Sequence, residues 1–279
     1  MQIFVLLSTI DNGICRTPNV LCPAEDGVTY VVVWQQTKAK EALGTSWTIA
    51  TRILAQRRDV ILEEMSGRGL CRSRNRAMEI AIEALDDPLE DAIFVLADDD
   101  ERFDSKAFDN IRAVYEQYER LDFALLRMRS NADGRYLKRY PKEAVSYRRR
   151  PAYYYPSSLE MTFRSRLFHS GLRFNERFGL GSEHLCGGEE EIFLFEAQRK
   201  GLNGLIAPKD ICRTEATTTG STLTPALLRT KGAVFAYQLS RPKAWLRCWR
   251  EAISLGIRRK ESPLKLFRIL IEGAKLIHL

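Results

Sequence analysis

The feature of this sequence that most constrains its fold is an apolar run that ends abruptly in carboxylates. Residues 94–97 are apolar, and Asp98, Asp99, Asp100 and Glu101 follow directly. Such a run is typical of a strand buried on both faces of a parallel sheet. Side chains alternate along a strand, so an extended chain would place Asp98 and Asp100 on one face and Asp99 on the other. We predict a strand that ends at a charged edge of an α/β sheet.

Carboxylates on one side of a strand end repel each other unless a positive group lies between them. Mg²⁺ or Mn²⁺ would fill that role, because these ions take one or two protein carboxylates and complete their coordination with water and substrate phosphates. Open α/β sheets bind ligands at the carboxyl ends of their strands. The acids therefore predict a metal–nucleotide site, although a solvated acidic turn before a helix would carry the same residues.

Segments with strand and helix patterns alternate along the first 224 residues. Strands are predicted at 3–8, 30–34, 60–62, 92–97, 123–128 and 205–207, with a further strand and a helix start in 160–168. Helices are predicted at 48–56, 73–85, 108–121 and within 187–201. This order predicts a mostly parallel central sheet with helices on its faces.

The net charge of +7 comes from the C-terminal tail. Residues 225–279 contain 12 Lys and Arg against 3 Glu, which predicts contact with an anionic surface, either a membrane or nucleic acid. One face of a predicted helix carries Trp245, Trp249, Ala252 and Ile253, as in helices that lie in a membrane interface. Packing of this face on the rest of the protein is the alternative.

A basic and aromatic segment at 140–156 breaks the alternating pattern. It holds three arginines at 148–150 and three tyrosines at 153–155. Such a segment could bind nucleic acid, bind a phosphorylated or glycan ligand, or form a loop over a site. No RNA- or DNA-binding motif accompanies it, so nucleic acid is not expected as a partner.

The N-terminus and the cysteines predict the compartment. The first residues lack the basic start of a signal peptide, and no apolar run approaches the roughly 18 to 20 residues that span a bilayer. The six cysteines are scattered without a CxxC pair, as expected of reduced thiols. We expect a cytoplasmic protein whose basic tail holds it peripherally on the inner face of the cell membrane.

Taken in order, these motifs resemble a family-2-type glycosyltransferase with the GT-A fold, over roughly residues 1–221. The similarity is carried by the first strands, by Ser73-Arg74-Asn75 at a helix start, by the aspartate triplet and by Gly187-Gly188-Glu189-Glu190-Glu191. The resemblance implies a GT-A-like catalytic domain at 1–224, with a nucleotide-binding half at about 1–105 and an acceptor half at about 106–224. A basic amphipathic helical extension at 225–279 follows.

The resemblance also implies an activity. Relatives move a sugar, usually with inversion, from a nucleotide-diphosphate donor to an acceptor hydroxyl, and many bacterial ones build surface polysaccharides on a lipid carrier. We expect a UDP-linked donor and a glycan or lipid-linked saccharide acceptor. A metal-dependent nucleotidyltransferase, and a glycan- or nucleic-acid-binding protein in which the acids are merely solvated, are the alternatives.

Individual roles are carried over by position. Asp98 and Asp100 match the Asp-x-Asp pair that holds Mn²⁺ or Mg²⁺ on the diphosphate, whose charge needs to be neutralised as it leaves. Glu190 matches the general base that takes the proton of the acceptor hydroxyl, with Glu189 as the second candidate; helix capping alone would also select acids there. Donor contacts are expected at Thr9, Asp11, Gln35, Arg68, Arg74, Asn75, Asp98 and Asp99.

Two departures from the family pattern leave the base and the metal open. Gln35 and Gln36 stand where relatives often have acidic residues that read the base. Arg213-Thr214-Glu215 stands where relatives often have a metal-binding histidine, before a polar loop at 217–221. Either the metal has fewer protein ligands, or Glu215 or His184 replaces the histidine.

Overall fold

A computed structural model describes residues 1–87, 90–215 and 224–278 of the chain. The chain divides into two compact units. The sheet unit comprises Met1–Arg68, Arg72–Arg173 and Ala197–Ala216, and the helical unit comprises Gly69–Cys71, Phe174–Glu196 and Thr217–Leu279. The division at residue 224 into a catalytic domain and an extension stays a prediction.

One mixed sheet forms the sheet unit. Its strands are β1 (Ile3–Ile10), β2 (Val28–Gln36), β3 (Val60–Ser66), β4 (Ile93–Asp98), β5 (Arg102–Phe103), β6 (Phe123–Ser130), β7 (Val145–Ser146), β8 (Met161–Arg164) and β9 (Gly204–Thr214). In the described part of the chain their order is β3-β2-β1-β4-β8-β6-β9-β5, with β7 paired to β9. The prediction of a mostly parallel α/β sheet is confirmed.

Among the described strands, six run in one direction. β1 pairs in parallel with β2 and β4, β2 with β3, and β6 with β9. β8 is antiparallel to both β4 and β6, so β6 and β9 run the same way as β4. The carboxyl ends of β1, β2, β3, β4, β6 and β9 therefore lie along the same edge of the sheet.

Alternate residues of the central strands build the core of the sheet unit. The accompanying helices are α1 (Ser46–Ala55), α2 (Leu70–Glu83), α3 (Ala107–Gln117) and the short α4 (Arg166–His169). A single apolar cluster unites one face of β1, β2 and β4 with α1 and α3, and it includes Val5, Leu7, Val32, Trp34, Val95, Leu54 and Ile111. Continuous apolar runs produce these strands because both faces of the sheet are covered.

Helices build the helical unit. They include the start of α5 (Glu189–Arg199), then α6 (Pro225–Gln238), α7 (Arg241–Arg259) and α8 (Pro263–His278). A buried cluster that includes Leu228, Cys248, Ala252, Leu266 and Leu270 holds α6, α7 and α8 together. Among the described helices, none combines the length and the apolar character needed to cross a bilayer.

Candidate active site

The carboxyl edge of the sheet brings together residues from strands that are far apart in the sequence. In the register of the sheet, Ser8 on β1 lies opposite Asp98 on β4, and Ile10 lies opposite Gln35 on β2. Thr9, Gln35 and Asp98 thus come to the same level, as the sequence predicted for strands that end at one edge. Ser73 Oγ on α2 donates a hydrogen bond to Ser8 Oγ at 2.8 Å, which fixes the helix that carries Arg74 against β1.

Asp99 is enclosed by Thr9 near the end of β1 and by Gly13 and Arg16 in the segment that follows. The hydroxyl of Thr9 and the guanidinium of Arg16 both hydrogen-bond to its carboxylate. Gly13 lies in the short 3₁₀ turn Asp11–Cys15, where a Cβ atom would come within 2.0 Å of Asp99 Oδ2. Asp99 is only 8% exposed. These contacts and its burial therefore hold the Asp99 carboxylate in one position.

Asp98 and Asp100 occupy different backbone environments. β4 ends at Asp98, and Asp99 and Asp100 form a turn. The alternation expected of an extended chain therefore stops at Asp98, because the turn redirects the two residues that follow. Arg74 Nη2 lies 3.5 Å from Asp98 Oδ1, and the Arg74 side chain is almost completely buried. The positive charge of Arg74 therefore lies directly beside the Asp98 carboxylate.

Glu101 is a buried acid that sequence reasoning did not assign. It is 1% exposed, and neither carboxylate oxygen receives a hydrogen bond from a nitrogen or oxygen donor within the described residues. Burial, followed by the charges of Asp98 and Asp100, raises the pKa of Glu101 well above its usual value, and the charge of Arg74 opposes that rise. Glu101 is thus part of the same electrostatic cluster as the aspartates.

The pKa of Asp100 shows the same excess of negative charge. Burial and the charge of Asp99 raise this pKa, Arg16 opposes the rise, and Glu215 adds to it. The structure therefore brings Glu215 into the electrostatic neighbourhood of Asp100. We call Asp98, Asp99, Asp100, Glu101, Arg16 and Arg74 the acid cluster.

The acid cluster fits a divalent cation by charge and by chemistry. Arg16 and Arg74 lie beside Asp99 and Asp98, whereas Asp100 and Glu101 form no ion pair within the described residues. Carboxylate oxygens are the ligands that Mg²⁺ and Mn²⁺ prefer. No group of three or more His, Cys, Asp and Glu side chains within the described residues is arranged as a complete metal site. A cation here would therefore take further ligands from a diphosphate and water.

The remaining predicted donor contacts lie at or near the same edge but differ in exposure. Both carboxylate oxygens of Asp11 accept hydrogen bonds from Thr37, at 2.8 Å from the backbone N–H and 2.6 Å from the hydroxyl. Partial burial opposes the shift, but these hydrogen bonds and Lys38 lower the pKa of Asp11. Gln35 and Asn75 are 4% and 9% exposed, whereas Arg68 is exposed after β3. Asp11 is thus engaged in holding the segment after β2.

The helical unit contains Glu189 and Glu190, the predicted general bases. Both lie in the first turn of α5, whose start is fixed by Gly188 at φ +81°, where a Cβ atom would lie 2.6 Å from Val234 Cγ2. Glu189 is 5% exposed and packs beside Gly179. Glu190 is half-buried and forms no ion pair within the part of the chain that the structure describes. Of the two, Glu190 has the more accessible carboxylate.

Sequence reasoning missed Arg16, Gly13 and the role of Glu101. Arg16 and Gly13 reach Asp99 because the chain forms a 3₁₀ turn after β1. No local sequence pattern predicts that turn. Glu101 directly follows the aspartate triplet 98–100. Its position next to the predicted metal ligands could therefore have identified it as part of the site. His184 lies in the helical unit, beside Glu183 at 3.4 Å. The polar loop at 217–221 lies outside the described residues.

Comparison with solved structures identifies the architecture. The chain superposes on S. aureus TarS with a TM-score of 0.58 and 14% identity, over 88% of this chain and 42% of that one. It superposes on GalNAc-T7, solved with UDP, GalNAc and Mn²⁺, with a TM-score of 0.57 and 12% identity, over 90% of this chain and 51% of that one. This chain has the GT-A fold.

Other comparisons add less. The mannosyltransferase PcManGT from Pyrobaculum calidifontis, in complex with GDP-Man and Mn²⁺, aligns over 99% of this chain and 69% of that one, with 14% identity and a TM-score of 0.44. The sequence matches no protein-family model and no curated protein. The GT-A chain described here spans about half or less of the length of TarS and GalNAc-T7.

Proposed function

We propose that this protein is a glycosyltransferase that moves a sugar from a nucleotide-diphosphate donor to a hydroxyl of a glycan or lipid-linked saccharide. The acid cluster at the carboxyl edge of a GT-A sheet is the observation that carries this proposal. Gln35 is buried at the end of β2, and its amide can hydrogen-bond to a uracil edge. A UDP-sugar is therefore the proposed donor, and synthesis of a surface polysaccharide is the proposed setting.

Mn²⁺ or Mg²⁺ is the proposed cofactor, held by Asp98 and Asp100. Bound there, the ion supplies positive charge that stabilises the departing nucleotide diphosphate. The chain's own residues prepare the site. Arg74 places positive charge beside Asp98, and Thr9 and Arg16 hold Asp99 where it can accept a hydrogen bond from a ribose or sugar hydroxyl.

Glu190 is the proposed general base of a single displacement with inversion. The acceptor oxygen attacks the anomeric carbon, its proton passes to Glu190, and the bond between that carbon and the diphosphate oxygen breaks with its electrons on the diphosphate. The half-exposed carboxylate of Glu190 favours it over Glu189, which is almost fully buried.

A panel of nucleotide sugars tests this function. We expect UDP or a UDP-sugar with Mn²⁺ to raise the melting temperature, because a ligand at 100 times its Kd stabilises a fold by about 2.7 kcal/mol. Glu190→Gln should lower sugar transfer by about 10²- to 10⁴-fold and leave UDP–Mn²⁺ binding intact. Release of pyrophosphate by both proteins would instead indicate a nucleotidyltransferase, and no response to any nucleotide would indicate a non-catalytic binding protein.

We also propose that the protein binds an anionic membrane surface through α7. An apolar stripe on this helix remains exposed, with Trp245, Leu246, Trp249, Ile253 and Ile257 between 37% and 75% exposed. These residues recur at helical spacing, whereas Ala244, Cys248, Ala252 and Leu255 form the buried face. One face of α7 therefore packs within the helical unit, and the other is exposed and available to a membrane surface. Exposed Lys243, Arg247 and Arg250 accompany the stripe and complement anionic headgroups.

A further inference from the structure

The chain makes a long excursion between β6 and β8 that begins and ends at the carboxyl edge of the sheet. β6 ends at Ser130 on the carboxyl edge of the sheet, and β8 begins at Met161 on the same edge because it runs in the opposite direction. The basic and aromatic segment noted in the sequence lies within this excursion. Its middle part reaches the opposite edge, where Val145 and Ser146 pair with the start of β9.

A buried carboxylate anchors the excursion at the carboxyl edge. Glu160 is completely buried and accepts hydrogen bonds from Lys138 Nζ at 2.8 Å and Tyr154 Oη at 2.9 Å, and from Tyr140 Oη. The hydroxyl of Tyr140 also accepts a hydrogen bond from the backbone N–H of Met128 at 3.0 Å. Because the buried charge is paired and hydrogen-bonded, this part of the excursion is fixed in position.

Aromatic and basic side chains cover the outside of this anchor. Tyr136, Tyr153 and Tyr155 are 39%, 43% and 58% exposed. The Arg139 guanidinium lies 4.3 Å from the ring centre of Tyr153, and Lys138 Nζ lies 4.5 Å from that of Tyr155. We call Arg135, Tyr136, Arg139, Tyr153 and Tyr155 the tyrosine–arginine surface.

The guanidinium groups of the two arginines on this surface are accessible to an anionic ligand. Arg139 is exposed and has no carboxylate partner within the described residues. The Arg135 side chain is 86% exposed, and its nearest carboxylate is the exposed Asp133 at 3.6 Å. Exposed pairs of this kind contribute little stability, so an anion of a ligand can replace Asp133 at small cost.

One buried side chain connects the acid cluster with the anchor of the tyrosine–arginine surface. The thiol of Cys212 on β9 is buried and donates a weak hydrogen bond to the carbonyl of Leu159 at 3.5 Å. Cys212 pairs with Phe103 of β5, two residues after Glu101, and Leu159 directly precedes Glu160. Glu101 belongs to the acid cluster and Glu160 to the anchor, so the two sites adjoin.

We infer that the tyrosine–arginine surface binds an acceptor saccharide that carries phosphate or carboxylate groups. This inference rests on the proposed glycosyltransferase function and names its acceptor class. A tyrosine ring offers an apolar face and a polar edge, which suits a sugar ring with C–H groups and hydroxyls. Arg135 and Arg139 provide planar, permanently charged donors that pair with phosphate or carboxylate oxygens.

Binding of matched saccharide pairs tests the inference. The probes are a phosphomannan with its dephosphorylated form, and an oligogalacturonate with its neutral methyl ester. We expect the wild-type protein to bind each anionic member about tenfold or more tightly than the neutral one, with the preference weakening at high salt. Arg135→Ala/Arg139→Ala should abolish the preference, and Tyr153→Ala/Tyr155→Ala should weaken binding of both members.

The chain offers a matched control for charge. Arg148→Ala/Arg149→Ala removes the same charge from the same excursion, but these exposed arginines follow β7 at the opposite edge of the sheet. This variant should keep the preference for the anionic saccharides. Equal loss in both double arginine variants would overturn the inference, because it would show a general effect of net charge.

Two further outcomes separate this inference from the proposed function. UDP–Mn²⁺ affinity is measured on the same proteins and should be unchanged in both double arginine variants. Intact UDP–Mn²⁺ binding without any preference for anionic saccharides overturns only the acceptor class, whereas absence of UDP–Mn²⁺ binding in the wild type overturns the function itself. Tighter binding of a single-stranded oligonucleotide than of any saccharide would overturn the inference in favour of nucleic acid.

Discussion

At the scale of residues, the candidate site consists of acidic side chains with two arginines beside them. Asp98 and Asp100 were predictable because an apolar run led directly into them. Arg16 and Arg74 place positive charge beside the aspartates. Of the two, only Arg74 was predicted as a contact. Arg16 was not predictable because its approach to Asp99 depends on the fold of a turn and on long-range pairing of β1 with β4.

Gly13 permits the close approach of that turn to Asp99. In Gly13→Ala, the added Cβ atom would lie 2.0 Å from Asp99 Oδ2 and 2.5 Å from Thr9 Oγ1. We expect a loss of about 1–3 kcal/mol in the free energy of unfolding, as in other overpacked sites, together with weaker UDP–Mn²⁺ binding. Urea unfolding and calorimetric titration measure the two effects. Asn12→Ala, at an exposed position in the same turn, should change neither, and wild-type behaviour of Gly13→Ala would contradict the described packing.

At the scale of elements, apolar strands were predictable, including the four-residue β8, whereas the two-residue strands and the polar part of β9 were not. Continuous apolar runs in the sequence predict β1, β2 and β4. β9 extends from Gly204 to Thr214 although a proline and two charged residues at 208–210 interrupt its apolar pattern. Its register with β6 shifts between Leu125 and Arg127 and again between Arg127 and Met128. β5 and β7 have two residues each, too few for any periodicity. These elements depend on tertiary pairing, which local pattern does not encode.

α6 and α8 approach closely through glycines. A Cβ atom on Gly232 would lie 1.8 Å from the backbone oxygen of Leu270. Gly232→Ala should therefore force the helices apart and lower the free energy of unfolding by about 1–3 kcal/mol or more, measured by urea unfolding. Gly187→Ala is the control in the same unit, because its Cβ atom would meet only Leu227 Cδ2, at 3.6 Å. Equal stability of the two variants would contradict the close packing.

Cys248 makes the stability of α7 sensitive to alkaline pH. Burial raises the pKa of its thiol from 9.0 to about 11. Between these values the unfolded chain loses this proton and the folded chain keeps it, so the free energy of unfolding falls as the pH rises. We expect Cys248→Ala to show a smaller fall between pH 9 and 11, measured by urea unfolding at each pH. Cys15→Ala is the matched cysteine control, and an unchanged slope in Cys248→Ala would refute the assignment.

At the scale of the whole molecule, charge and exposed apolar surface are unevenly distributed. The tail supplies the positive charge, with 12 Lys and Arg against 3 Glu after residue 224. Sequence alone predicted this asymmetry and the shared face of the tryptophans. It did not predict which face of α7 stays exposed, because that depends on packing against α8.

The exposed stripe of α7 predicts selective binding to anionic vesicles. We expect the protein to sediment with phosphatidylglycerol vesicles and to do so far less with phosphatidylcholine vesicles, since charge and apolar contact act together. Trp245→Ser/Trp249→Ser should lower the partition coefficient by about tenfold without changing UDP–Mn²⁺ binding. Equal partition of the two proteins would contradict membrane binding, and a dimer in solution that the variant loses would assign this face to a second copy.

The central claim is that Asp98 and Asp100 hold a divalent cation that binds the diphosphate of a nucleotide donor. Calorimetric titration of UDP in the presence of Mn²⁺ or EDTA, with the wild type and Asp98→Asn/Asp100→Asn, measures it most directly. We predict UDP binding by the wild type only with Mn²⁺, and a loss of about 100-fold or more in the folded variant. Metal-dependent UDP binding of equal strength in both proteins would contradict the claim.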